Sequence, residues 1–176
     1  MQRKVILYIA MSLDGFIAGK NDELEFLKAV EKDGEDYGYA QFTESIDTVI
    51  MGRKTYDIVM SFGIGFPHAD KKSYILTRTA RAAGANLTFY NGNINTLIGD
   101  LKNTNGKNIF IDGGAEVVHS LLKELLIDEL IISIIPVLLG DGVRLFKGDE
   151  PEQKLELVST KSFEKGLVQL HYSVIK

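Results

Sequence analysis

The stretch Thr48-Val-Ile-Met-Gly52-Arg53-Lys54-Thr55-Tyr56-Asp57 decides how this chain is read. A short apolar run, Thr48–Met51, ends at a glycine, and two cations and a hydroxyl come next. Such a run bounded by turn signals reads as a buried strand, and Lys54–Met60 reads as a short helix. Free N–H groups at a helix start, together with the helix dipole, make an anion site. Arg53 and Lys54 oppose that dipole, which costs stability until an anion arrives. Taken alone, the junction reads equally as a solvated cationic turn before a plain helix.

Two further elements repeat the theme. In Asn108-Ile-Phe-Ile-Asp112-Gly113-Gly114-Ala115-Glu116 a strand runs into paired glycines and then a helix, Glu116–Leu125. Paired glycines let a pyrophosphate approach the backbone; they also serve a tight strand-to-helix turn. Thr77-Arg78-Thr79 follows the strand Ser73–Thr77 and clusters hydroxyls around a guanidinium. An arginine near a ribose is a common way to accept a 2′-phosphate. Neither glycine junction is G-x-G-x-x-G or a Walker loop, which disfavours a standard dinucleotide-binding domain or P-loop NTPase. Ligands of open α/β sheets bind at the carboxyl ends of strands, where all three elements fall.

Outward from these junctions, apolar β-rich runs alternate with helical or polar stretches, the pattern of an α/β fold. Val5–Ala10 reads as the first strand and Ser12–Gly19 as a loop. Asp33–Ser45 reads as an amphipathic helix, because Tyr39, Phe42 and Ile46 recur at helical spacing. Ser61–Lys71 is an irregular loop, Leu87–Tyr90 a strand, Ile94–Asn103 a helix and Leu130–Leu138 a long strand. Leu155–Ser162 and Leu167–Ile175, joined around Glu164-Lys165-Gly166, form an antiparallel hairpin, so the sheet is mixed. No linker divides the 176 residues, and one domain over 1–176 is expected.

Composition excludes several function classes. The formal net charge of −4 argues against nucleic-acid and anionic-membrane partners, which want a basic excess. With no cysteine there are no disulfides, thiolate nucleophiles or Cys-ligated zinc. His68, His119 and His171 show no metal-ligand spacing, so no metal is expected. His119 is given no role, and His171 reads as a cross-strand polar neighbour. The apolar part of MQRKVILYIAM is short and reads as a strand rather than a signal, and no apolar run reaches a membrane span. A cytoplasmic location is expected.

The order of SLDGFIAG, TVIMGRKTYD, SYILTR, NIFIDGGAEVV and LIISIIPVLLGDGVRLF resembles the dihydrofolate reductase-like superfamily. Within it the chain is most similar to the reductase domain of riboflavin-biosynthesis deaminase–reductases, over nearly its whole length. The resemblance implies a mixed sheet of about eight strands with flanking helices and a C-terminal antiparallel hairpin. It implies NADPH as cofactor and hydride transfer to a small heterocyclic or ribosylated substrate. Carried over by position, it puts the cofactor phosphates near Gly52, Arg53, Lys54 and Thr55, and the 2′-phosphate near Thr77 and Arg78. It puts the pyrophosphate and nicotinamide side near Gly113, Gly114, Ala115 and Glu116, with Ala10 and Ile17 flanking the nicotinamide. An acid on the first long helix, Asp36, would relay a proton with its pKa lifted by burial. Ser133 would be its hydrogen-bond neighbour.

Ser12-Leu13-Asp14-Gly15 replaces the Trp- and Pro-containing loop of true dihydrofolate reductases, which sets folate against the riboflavin-type substrate. Asp14 is a second candidate for the proton, or a turn-capping residue before Gly15. Tyr37 and Phe62 are candidate pocket walls. No Cys-x-x-Cys pair occurs in these residues, so a zinc deaminase activity is not expected of them. A homodimer is implied, with Leu130–Leu139 and the C-terminal strands as its patch. Two function classes stand: an NADPH-dependent reductase, riboflavin-type or dihydrofolate-type, and an NADP(H)-binding protein without efficient turnover.

Overall fold

The computed structural model describes residues 2–79, 81, 82 and 84–176. Strand β3 (Ile46–Gly52) sits deep in the sheet, and Val49, Ile50 and Met51 are wholly inaccessible to solvent. A strand covered on both faces reads as a continuous apolar run, which is why TVIM carries no alternation. Its parallel neighbours are β4 (Lys72–Leu76) and β6 (Asn108–Gly113). Beyond β4 lies β5 (Leu87–Tyr90), and beyond β6 lies β1 (Val5–Ser12) and then β7 (Glu129–Ile135), all parallel. The hairpin strands β9 (Leu155–Ser162) and β10 (Val168–Val174) complete the sheet, with β10 antiparallel to β7 and β9 outermost. The order is β5-β4-β3-β6-β1-β7-β10-β9.

Helices cover both faces. Helix α1 (Tyr39–Glu44) brings Phe42 against Ile6, Val49, Met51, Ile75 and Phe110. Helix α2 (Arg53–Ser61) follows β3 without a break. On the opposite face α3 (Ile94–Lys102) and α4 (Ala115–Lys123) bury Leu97, Ile98, Val118, Leu121 and Leu122 against Val5, Leu7 and Ile50. Alternation along β1 thus serves both layers. His171 Nε2 lies 2.9 Å from Glu129 Oε2, the cross-strand contact between β10 and β7 read from sequence. Among the described residues no helix is long and apolar enough to cross a membrane.

Three expectations are corrected. The helix of Asp33–Ser45 is confined to Tyr39–Glu44, because Gly34, Tyr37 and Gly38 all have positive φ and break the segment before it. Asp36 therefore precedes the helix. The long apolar strand stops at Ile135 because Pro136 cannot continue the ladder. A second, small sheet pairs β2 (Phe16–Ala18), inside the loop of Ser12–Gly19, with β8 (Val143–Arg144).

Candidate active site

The parallel strands end together, and their carboxyl ends open into a cleft of about 1000 Å³. Helices α2 and α4 both start there, after N-cap residues Gly52 and Gly114, neither of which has a side chain to cap the first turn. First-turn N–H groups have no intrahelical partner, so both helix starts offer donors to an anion. The two starts abut: a Cβ on Gly52 would stand 3.3 Å from Val117 Cγ2, and one on Gly114 would stand 3.0 Å from Thr55 Oγ1. Arg53 pairs with Asp57 along α2, and Lys54 Nζ reaches Asp22 Oδ2 at 2.7 Å. Arg78 lines the cleft and makes no ion pair among the described residues. Glu116, in the first turn of α4, is held by Lys147, which lowers its pKa.

A second cavity of about 430 Å³ adjoins the first and shares Ala10 and Leu27 with it. Tyr8, Tyr37 and Tyr39 form its aromatic walls, and Ser133 lies in its floor beside Ala10, its partner across β1 and β7. Gln169 of β10 organises this floor. Its Nε2 is 3.1 Å from Tyr8 Oη, 3.2 Å from Ser133 Oγ and 3.3 Å from the Tyr37 carbonyl. Tyr8 donates to that carbonyl as well and stacks on Phe42 at 4.5 Å. Burial raises the Tyr8 hydroxyl pKa despite the Gln169 hydrogen bond.

Asp112, the residue before the paired glycines, lines the first cleft and was missed in the sequence. His68 Nε2 lies 3.4 Å from its Oδ2. The imidazole is buried with its ring edge-on to Phe66 and Phe110. Asp112 also acts, after burial, to raise the pKa of Tyr39 in the second cavity, so its charge is felt on both sides. The sequence signal was present: an acid at the carboxyl end of a strand, one residue before Gly-Gly.

The residues singled out from sequence distribute as follows. Ala10, Ile17, Gly52, Arg53, Lys54, Thr55, Thr77, Arg78, Gly114, Ala115 and Glu116 line the first cleft, as does Phe62. Gly113 does not line it; it is buried with φ +109 under Ile9. Asp36, Ser133 and Tyr37 line the second cavity. The expected environment of Asp36 is reversed. Its carboxylate accepts from the N–H groups of Ala40 and Gly38, both at 2.9 Å, and these lower its pKa rather than raise it. The hydrogen-bond neighbour of Ser133 is Gln169, not Asp36.

Asp14 lines neither cavity. It accepts from Ser12 Oγ at 2.6 Å, Gly140 N at 2.7 Å and Leu139 N at 3.1 Å, tying two loops together. Elsewhere, His119, Asp149 and Glu150 bring potential ligand atoms within 4.8 Å of one another. Asp149 holds Lys123, and Glu150 holds His119 and the N–H groups of Lys147 and Gly148, so these acids already have partners.

A mixed eight-stranded sheet of this order, with a phosphate-competent cleft at its strand ends, is the dihydrofolate reductase-like fold. The dihydrofolate reductase of Enterococcus faecalis, solved with NADP(H), aligns with a TM-score of 0.66 at 17% identity, over 100% of this chain and 99% of that one. The chain belongs to the RibD C-terminal domain family, whose model matches residues 3–169. It is 44% identical to the uncharacterized protein YwjB of Bacillus subtilis, over 98% of both chains. A Shewanella sp. PV-4 protein whose name provisionally assigns it to riboflavin biosynthesis aligns with a TM-score of 0.89 at 31% identity, over the whole of both chains.

Proposed function

We propose that the protein is a cytoplasmic NADPH-dependent reductase that transfers a hydride to a small heterocyclic or ribosylated pyrimidine substrate. The observation that carries this reading is the convergence of two uncapped helix starts and Arg78 on one cleft that opens beside a second, tyrosine-lined cavity. The donor set suits a dinucleotide phosphate: backbone N–H groups at Gly52 and Gly114, a hydroxyl at Thr55 and guanidinium groups at Arg53 and Arg78. When bound, NADPH supplies the hydride from its nicotinamide ring. Ala10, shared by both cavities, marks the contact between cofactor and substrate.

Hydride delivery to a neutral C=N or C=O bond leaves charge on the heteroatom, so a proton must follow. Asp36 is held in its ionised form by two N–H donors, which suits it to orienting rather than protonating. Asp112, open to the cleft and backed by His68, is the better-placed carboxyl for the proton. Leu155, Leu157 and Val158 on the outer strand β9, with Val168, are exposed and apolar, and we assign them to a homodimer contact. Leu130, Ile132 and Ile135 of the segment first considered for that contact are buried within the chain itself.

The test is NADPH oxidation against a panel of dihydrofolate, ribosylaminopyrimidine and simple carbonyls. Turnover of the ribosylaminopyrimidine supports the reading. Cofactor binding without turnover of any member replaces the reductase with a binding protein.

A further inference from the structure

The two cations at the start of α2 oppose the helix dipole, and the chain meets each of them with an acid of its own. Arg53 pairs with Asp57, one turn along the same helix. Lys54 pairs with Asp22, which comes from a distant part of the sequence, Nζ to Oδ2 at 2.7 Å. Asp22 lies in the wall of the first cleft together with Gly52, Arg53, Lys54 and Thr55. A carboxylate of the chain itself therefore holds a cation at a helix start, the place where an anionic ligand is favoured.

The segment that carries Asp22 is shaped to deliver it there. It is a short 3₁₀ turn, Lys20–Asp22, whose base is closed by the Gly19 N–H donating to the Glu23 carbonyl at 2.8 Å. Lys20 Nζ anchors its other side to Asp141 Oδ2 at 2.9 Å. Asn21 and Asp22 have φ of 59° and 64°. Left-handed backbone is uncommon outside glycine, and two such residues in succession carry a conformational cost. Asp14 and Asp36 use their carboxylates to accept from backbone N–H groups. The Asp22 carboxylate accepts from no backbone group among the described residues and meets Lys54 instead.

This contact is open to exchange. The Lys54 side chain is 71% exposed and that of Asp22 26% exposed, and an exposed ion pair adds little net stability. A pyrophosphate group brings more acceptor oxygens than a carboxylate, and it can engage the first-turn N–H groups of α2 and α4 at the same time.

We propose that Asp22 is a built-in competitor for Lys54: it holds the lysine until a pyrophosphate-bearing ligand displaces it, so the contact is autoinhibitory. The inference rests on reading the first cleft as the nucleotide site. Displacement lets Lys54 join the phosphate donors, and the affinity observed is the ligand's own interaction less that of the carboxylate it replaces.

The test is calorimetric titration of the full chain with inorganic pyrophosphate and with NADP+, at low and high salt. Four proteins are compared: unmutated, Asp22→Asn, Lys54→Met and the double variant. Asp22→Asn should tighten binding of both probes at least about threefold at low salt, and by less at high salt, because the competing charge is gone. Lys54→Met should weaken binding, and in its background Asp22→Asn should change affinity little. A gain in affinity is not the signature of a folding defect, and thermal melts of all four proteins check the fold. A gain that survives Lys54→Met is general repulsion by Asp22 and overturns the proposal. Equal or weaker binding by Asp22→Asn also overturns it and makes Asp22 a residue that positions Lys54. If pyrophosphate shows the Lys54-dependent gain while NADP+ binds none of the four, the nucleotide reading falls alone. If NADP+ binds and Asp22→Asn makes no difference, this proposal falls alone. Binding of neither probe by any of the four overturns both.

Discussion

The His68 imidazole stands 3.4 Å from the Asp112 carboxylate, Nε2 to Oδ2, and only the aspartate reaches the cleft. The buried imidazole packs edge-on against two phenylalanine rings, Phe66 and Phe110. Asp112→Asn keeps the shape and removes the carboxyl group. It should lower kcat by about 10²-fold or more, the scale of losing a general acid. His68→Phe fills similar space without ring nitrogens and should shift the pH profile of kcat. A change in melting temperature alone would mark His68 as packing. Asp36→Asn keeps one accepting oxygen of the two that hold the N–H groups of Gly38 and Ala40, and its effect should fall on KM. Full kcat in Asp112→Asn refutes the assignment.

Arg78 is exposed at the cleft, whereas Arg53 and Lys54 are occupied by Asp57 and Asp22. A charged hydrogen-bond pair to phosphate contributes on the order of 1.5–3 kcal/mol. Arg78→Ala should therefore weaken NADPH by roughly ten- to a hundredfold and leave NADH nearly unchanged, measured by nucleotide fluorescence. Equal affinity of the unmutated protein for both nucleotides would remove the 2′-phosphate role.

Asp14 governs an acid limb of stability. The Ser12 hydroxyl, with the N–H groups of Gly140 and Leu139, lowers its pKa from 3.8 to about 2. A folded-state pKa below the unfolded value gives stability that is present above about pH 4 and lost as pH falls through about 2. Asp14→Ala should melt earlier than the unmutated protein at pH 7, and the gap should close between those two values. A gap that persists below pH 2 assigns the loss to packing rather than to the charge.

The outer strand β9 exposes all eight of its residues, among them Leu155, Leu157 and Val158. An open, apolar edge strand invites pairing unless it is covered. Light scattering should give twice the 19.5 kDa chain mass at micromolar concentration. Leu157→Lys should return it to one chain. A single-chain mass for the unmutated protein excludes the dimer.

Much of this architecture is legible in the residues because its strands are buried on both faces, as TVIM and NIFI show. The first helix was misplaced because Phe42 and Ile46 do share a buried face, but Ile46 supplies it from β3. Periodicity does not register the positive φ of Gly34, Tyr37 and Gly38 that divides the segment. The small β2–β8 sheet has strands of three and two residues, too short for any pattern. The first cleft was legible because each wall is a contiguous motif. The second cavity was not: Tyr8 and Gln169 meet across 161 residues of chain, and no local spacing announces that contact.

The placement of Gln169 has a consequence for how the protein is made. Residues lining the first cleft are all present once synthesis has passed Val143. The floor of the second cavity waits for Leu167 and Gln169, on the strand that pairs with β7 from the far end of the chain. On the ribosome the residues of the first cleft are therefore all translated before the floor of the second cavity is complete, and a chain released early lacks Leu167 and Gln169.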